Sequence, residues 1–277
     1  MTLEYSRGVD ARLEEEGYIP VANTEDGEIV YYKEPDVEML RQTDPKKRRS
    51  LMRSLRKKER IYSESGHIWL PDFLATGRAT VFVAGSPGVG KSYFVARCLE
   101  TFPDDYSVML FTALTEQDDN FRDLPQHIFR VRMTPEVLSR INLATLRQRT
   151  RNLILVFDDF DNMPKGRILS EVQRILHDAL ANGRAHSEDD GEDRNIHVFV
   201  TTHALNDYMK TKYLLENSNY VVLFPQGTTY CQLLRLGQKI GLSQAQMTEM
   251  RNSGERSIII HKVPPLYVIE GPSIKTI

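Results

Sequence analysis

Apolar and polar positions follow two different patterns along the chain. From about residue 63 onward, short runs rich in β-branched and aromatic residues alternate with longer segments of mixed character, as strands and helices do when they take turns. Strands are predicted at residues 79–84, 107–112, 127–131, 153–157, 196–201, 219–224, 257–262 and 266–269. This alternation predicts an α/β fold, a mostly parallel sheet with helices on both faces. One helix is legible in detail, because Ile168, Val172, Ile175, Leu176 and Ala179 fall on one face of a 3.6-residue repeat and Asn182-Gly183 supplies a stop. Before residue 63, two short apolar runs at 19–21 and 29–32 flank Asp26-Gly27 and suggest a small hairpin, with a basic helix expected after Asp44-Pro45. The expected organisation is an N-terminal appendage over residues 1–62 and one α/β domain over residues 63–277, with no internal repeat.

The predicted strand at 79–84 runs into Gly85, Ser86, Pro87, Gly88, Val89, Gly90, Lys91 and Ser92, with Tyr93 following. These eight residues fit G-x-x-x-x-G-K-[ST], the P-loop pattern, between a strand and a helix. The glycines let the backbone turn its N–H groups inward to form an anion nest at a helix start. Lys91 would reach the β and γ phosphates of a nucleotide, and Ser92 would offer its hydroxyl to Mg²⁺. Residues 85–93 are therefore the candidate nucleotide-binding set.

A P-loop alone does not imply hydrolysis, which needs a carboxylate beside the phosphates. Sixty-seven residues after Lys91, the apolar run Leu153-Ile154-Leu155-Val156-Phe157 ends in Asp158-Asp159, a Walker B pattern. Asp158 would hold Mg²⁺ through water, and Asp159 would orient or deprotonate the attacking water, with Asp161 a lesser competitor. The alternative is a helix N-cap pair after a buried strand. A further strand closes in Thr201-Thr202-His203, whose tip offers Thr202 or His203 as a sensor of the γ-phosphate.

Composition narrows the setting. With 277 residues and 40% of them hydrophobic, the chain can bury one large core, and a second full domain is not expected. Two cysteines, Cys98 and Cys231, are too few for a disulfide framework or zinc site, so both are expected as small core residues in a reducing compartment. Neither a signal peptide nor an apolar run long enough to span a membrane is visible, so the expectation is a soluble intracellular protein. The net charge is −2, yet residues 46–60 carry nine Lys or Arg and one Glu, leaving about −10 for the rest. That block suits nucleic-acid contact, targeting or a solvated helix face. Residues 186–194, with five Asp or Glu, read as an acidic surface loop.

The order GSPGVGKS, LILVFDDF, HVFVTTHALND, NSNYVVLFP and SIIIHKVPPLYVIE resembles the poxvirus-type genome-packaging ATPases of nucleocytoplasmic large DNA viruses, within the FtsK/HerA superfamily. The likeness spans roughly residues 75–270. It implies a RecA-like P-loop NTPase core, ATP and Mg²⁺ as cofactors, a homo-oligomeric ring, and translocation of double-stranded DNA into a capsid. It also implies capsid or virion proteins as partners, and residence in the host cytoplasm or the virion. Lys91 and Ser92 match the phosphate and Mg²⁺ positions, Asp158 the metal residue and Asp159 the second acid, where many superfamily members carry Glu. An arginine from a neighbouring subunit is implied as well, with Arg235, Arg251 and Arg256 as candidates. Two other function classes fit the residues: a helicase or clamp-loader-like remodeller, disfavoured because residues from 257 onward read as strands, and a nucleotide-switched module that captures DNA through residues 46–60.

Overall fold

A computed structural model describes residues 2–33, 59–75, 77–113, 119–183, 195–203 and 208–277. The basic helix expected after Asp44-Pro45, residues 46–58 and the acidic stretch 186–194 lie outside the described residues. In chain order the strands are β1 (Thr2–Arg7), β2 (Ile19–Asn23), β3 (Glu28–Lys33), β4 (Arg60–Tyr62), β5 (Leu70–Pro71), β6 (Thr80–Ala84), β7 (Ser107–Thr112), β8 (His127–Arg130), β9 (Leu153–Asp158), β10 (Ile196–Thr202), β11 (Tyr220–Leu223), β12 (Ile258–His261), β13 (Tyr267–Glu270) and β14 (Ser273–Thr276). The helices are α1 (Ala11–Glu15), α2 (Lys91–Leu99), α3 (Pro135–Leu138), α4 (Leu143–Arg149), α5 (Arg167–Asn182), α6 (Tyr208–Asn217), α7 (Tyr230–Lys239) and α8 (Gln244–Asn252).

Ten strands form one sheet in the order β4-β14-β13-β12-β11-β6-β10-β9-β7-β8. From β11 to β8 neighbouring strands run parallel, and from β11 to β4 they run antiparallel. Strands β6, β9 and β10 are buried at every position, so both faces of the sheet must be covered. One face carries a core that includes Leu155, Phe157, Val200, Val172, Ile175, Leu176 and Met247, contributed by the strands and by helices α5 and α8. The opposite face packs against α2 and a second sheet of four strands, β1-β3-β2-β5. This is the RecA-like P-loop arrangement, with β10 inserted between the P-loop strand β6 and the Walker B strand β9.

The hairpin expected around Asp26-Gly27 forms as β2 and β3. Its sheet is bonded to the large one at several points. Strand β4 is an edge strand of the large sheet, whereas β5 returns to the small one. Trp69, fully buried between them, donates through Nε1 to Pro272 O at 2.9 Å. Phe73 stacks on Phe102 and meets Phe199 and Tyr220 edge-on, with centroids 5.2 to 5.7 Å away. Burial pushes the Glu28 carboxyl up, but hydrogen bonds from Ser63, Tyr5 and Ser65 outweigh that and hold it below the ordinary range.

Helix α5 buries Val172, Ile175, Leu176 and Ala179 as the sequence pattern requires. It stops at Gly183, but not through a left-handed turn, since Gly183 has φ −69°. Glycine is needed there because a Cβ would strike the Arg78 guanidinium. Arg78 donates to Ala179 O and Leu180 O, satisfying carbonyls that the helix end leaves open. The cysteine expectation needs correction: Cys98 is buried, but Cys231 is exposed, on the outer side of α7.

Two buried histidines make stability depend on pH. His197 accepts from Ala79 N at 3.0 Å and packs against Phe102 and Tyr106; burial, aided by Arg78, depresses it to about 4. His261 lies between Tyr220 and Tyr267 and donates to Pro265 O at 2.7 Å; burial depresses it to about 4 against that bond. In the unfolded chain both titrate near 6.5, so unfolding takes up protons between these values. Stability is therefore fully present above pH ~6.5 and falls progressively as the pH drops toward ~4. Urea midpoints between pH ~7 and ~5 should show the fall, and His261→Phe should make it shallower by about one proton. An unchanged slope would mean that His261 titrates normally.

Candidate nucleotide site

The P-loop leaves the buried strand β6 and enters α2 without a side-chain cap at Gly90. Gly88 has φ +75° and Gly90 φ +100°, conformations that L side chains rarely adopt. Gly85 is needed for another reason, since a Cβ there would press on Val89 and on the Phe224 ring at 3.0 to 3.2 Å. The loop also rests on the turn after β11, where Ser86 Oγ donates to Gly227 O.

Lys91 is only 4% exposed, and its ammonium has three donors and no acceptor. It donates to Ser86 O at 3.1 Å and to His203 Nδ1 at 2.7 Å. That fixes the imidazole tautomer: Nδ1 holds the lone pair, and Nε2–H points at Asp159 Oδ1, 2.8 Å away. Lysine, histidine and aspartate thus form one chain across the cavity mouth. Burial pushes Lys91 below the ordinary lysine range, against the pull of Asp159, Asp158 and Asp161.

Asp158 ends β9 and is 1% exposed. Its Oδ1 accepts from Ser92 Oγ at 3.0 Å and from Thr201 Oγ1 at 2.9 Å. The Thr201 hydroxyl in turn accepts from the Asp159 amide at 2.7 Å. Asp159 is the sole non-glycine residue with positive φ among the described residues, at φ 49° and ψ 50°. This left-handed turn takes it out of the strand direction and into the cavity. Asp161 sits differently: it accepts from Thr202 Oγ1 and, at 2.7 Å, from His203 N, pinning the tip of β10. The Thr202 hydroxyl is thus engaged by Asp161, and His203 is the tip residue that lines the cavity.

That cavity measures about 450 Å³ and is bordered by Gly88, Gly90, Lys91, Ser92, Tyr93 and Asp159, together with His203, Asn120 and Arg256. Asn120 carries no signal in the sequence. Arg256 lies in its own chain's site, its Nε donating to Val89 O at 3.2 Å and its guanidinium 6.0 Å from the Tyr93 ring centroid. Arg251 instead lies over the Tyr230 ring at 5.1 Å, and Arg235 is exposed on α7. Ser92 and Asp158 supply hard oxygen donors beside the anion nest, and among the described residues no group of three or more His, Cys, Asp or Glu could hold a metal. Such a donor set suits Mg²⁺, which takes one or two protein oxygens and completes its shell with phosphate and water.

A buried ammonium set for a ligand costs the ligand-free fold. Lys91→Met should raise the unfolding free energy of the nucleotide-free protein at neutral pH by on the order of 1 kcal/mol, measured by urea unfolding. A loss of stability would mean that the bonds to Ser86 and His203 outweigh the burial of charge.

Residues 80–217 match the family model described as AAA domain (dynein-related subfamily). A curated relative, "Uncharacterized protein V3" of Sputnik virophage, is 24% identical over 206 residues, covering 72% of this chain and 78% of that protein. Among solved structures, the pCW3 conjugation coupling protein TcpA, a monomer form with ATPγS, aligns with a TM-score of 0.40 at 11% identity, covering 96% of this chain and 78% of that one. The VirB11 ATPase of the Brucella suis type IV secretion system, in complex with sulphate, aligns with a TM-score of 0.27 at 13% identity, covering 81% and 60%. Both scores are low, and the fold rests on strand order and the P-loop instead. The family match and that geometry make residues 80–217 an AAA-type P-loop ATPase domain.

Proposed function

We propose that this ATPase is the motor of a viral genome-packaging machine, a ring of identical subunits that moves double-stranded DNA into a capsid. The observation that carries hydrolysis is the chain from Lys91 through His203 to Asp159 beside Ser92 and Asp158. The order of segments from the P-loop to residue 270 supports the packaging role, and the virophage relative agrees with a viral source. Residues 63–277 act as the ATPase domain in this reading, with residues 1–62 as an N-terminal accessory segment. Capsid or virion proteins are the further partners, in the host cytoplasm or the virion.

When ATP binds, Lys91 exchanges Ser86 O and His203 for phosphate oxygens, and the P-loop N–H groups close around the β-phosphate. Ser92 and Asp158 would hold Mg²⁺, which would neutralise charge on the phosphates. Released from Lys91, His203 keeps its Nε2–H on Asp159. Asp159 accepts the proton that a water loses as its oxygen bonds to the γ phosphorus, and the bond to the β-phosphate oxygen breaks. An arginine from the neighbouring subunit, Arg235 or Arg251, stabilises the charge on the transferred group. Arg256 already lies over its own P-loop.

Asp159→Asn should bind ATP with near-normal affinity while turnover falls by about 10²-fold or more. Turnover of the unaltered protein should rise with double-stranded DNA and vanish on dilution below the assembly concentration. ATPase activity indifferent to both would overturn the motor reading. A nucleotide-switched DNA-binding module would instead keep its ATP-dependent DNA affinity in the Asp159→Asn variant.

A further inference from the structure

The lysines and arginines of the described residues fall into two groups. Over much of the molecule they are neutralised in pairs, such as Arg7 with Glu64, Arg97 with Glu25 and Glu100, and Lys275 with Glu270. Between β8 and the start of α5 the balance changes. Residues 130–151 hold six arginines against one acid, Glu136, in a chain whose net charge is −2. Arg132, Arg140, Lys165 and Arg167 are all exposed, and no side chain among the described residues pairs with them.

Register and packing put these four cations on one part of the surface. The chain leaves β8 at Arg130, level with Val156 and two residues short of Asp158, so Arg132 follows at the sheet end that carries the nucleotide site. Arg140 follows α3, where the carbonyls of Leu138 and Ile141 accept from Arg174 Nη2 of α5, each at 3.2 Å. Arg167 opens that same helix, about two turns before Arg174. Lys165 precedes it in a loop that stands clear, since a Cβ on the neighbouring Gly166 would meet nothing within 4 Å.

That loop is also tied to the hydrolysis site. It leaves the turn in which Asp161 accepts from Thr202 Oγ1 and, at 2.7 Å, from His203 N. Met163, 3% exposed, anchors the chain between Asp161 and Lys165. A displacement of Lys165 or Arg167 therefore pulls on the residue that positions His203.

We infer that this surface grips the phosphate backbone of nucleic acid, with Arg132 and Arg140 on one side and Lys165 and Arg167 on the other, and that Asp161 links the grip to His203. Unpaired cations gathered on one side of a protein are the electrostatic footprint of a polyanion, and arginine forks fit phosphate oxygens. This rests on the motor reading. It adds where the ATPase domain itself holds DNA, independently of the basic block at residues 46–60.

Anisotropy of a labelled DNA duplex, titrated with the full chain at several salt concentrations, tests this. Arg132→Ala, Arg140→Ala, Lys165→Ala and Arg167→Ala together should reduce the slope of log affinity against log salt by about three to four, since each phosphate contact contributes about 0.9. The same variant should keep its DNA-free ATPase rate within about twofold, because all four positions are exposed, and should lose the stimulation by DNA. Lys165→Ala with Arg167→Ala alone should lower the slope by about two. A fourfold variant with the slope and stimulation of the unaltered protein would overturn the assignment and leave the motor reading intact. Preference for poly-glutamate over the duplex, abolished by the same substitutions, would overturn it in favour of an acidic protein partner. An unaltered protein that neither binds the duplex nor responds to it in turnover would overturn both readings.

Discussion

The buried carboxylate of Asp158 sets the geometry on which the site depends. It stands at the end of β9, and the P-loop strand β6 is not its neighbour: β10 lies between them. Two strand spacings put β9 about 10 Å from β6, a gap that the P-loop and the first turn of α2 must bridge to bring Ser92 within hydrogen-bond reach of Asp158. The intervening strand fixes the distance. Parallel register aligns Thr202 with Ala84 and Val200 with Phe157, so the three strands end at nearly one level. Thr201, fully buried, then donates to Asp158 and accepts from the Asp159 amide. One threonine hydroxyl therefore holds both acids of the Walker B pair against the strand that carries His203.

The parts of this arrangement that are local in sequence could be read before the fold was known. The P-loop, the apolar run into Asp158 and the eight strands of the α/β segment each declare themselves within ten residues or so. What sequence reading missed is long-range. Thr201 and Thr202 are adjacent and alike, but alternation along a strand sends one hydroxyl to Asp158 and the other to Asp161. Arg256 reaches the P-loop residue Val89 from 167 residues away, through the turn before β12. Strand β14 reads as polar, Ser-Ile-Lys-Thr, yet is buried at every position, because Lys275 is paired with Glu270 at 2.9 Å and β4 covers its free edge. Helices α7 and α8 escaped because each buries only a few residues, Leu233 and Leu236 on one and Met247 and Met250 on the other. The same narrow stripe explains Cys231, which falls outside it.

The N-terminal residues illustrate another limit. The hairpin is legible because its turn and apolar alternation are local. Its place on the large sheet is not, because that depends on Trp69, Phe73 and Tyr267, none of which belongs to the hairpin. Tyr267, fully buried, donates to Val21 O at 3.1 Å, tying the last antiparallel hairpin of the large sheet to the second strand of the small one. The antiparallel extension from β12 to β4 thus does two things. It lengthens the sheet past the P-loop strand, and it carries the surface on which the small sheet sits.

Unfavourable local choices gather at one end of this framework. Lys91 is buried with its charge, and Asp159 holds a left-handed conformation that costs a non-glycine residue about 1 to 3 kcal/mol. The Lys91 ammonium makes polar bonds rather than apolar contact, and a glycine would accept the backbone of Asp159. Both groups meet in His203, which accepts from one and donates to the other. The strain persists because its surroundings are over-determined: β6, β9 and β10 are buried at every position, and the turn after β9 is held by Thr201. A rigid sheet end carrying a misfit ammonium and a misfit acid is poised to exchange its internal partners for phosphate and water. The His203 imidazole is the element that must let go of Lys91 first, so the tip of β10 is where ligand binding is converted into a change of hydrogen bonding.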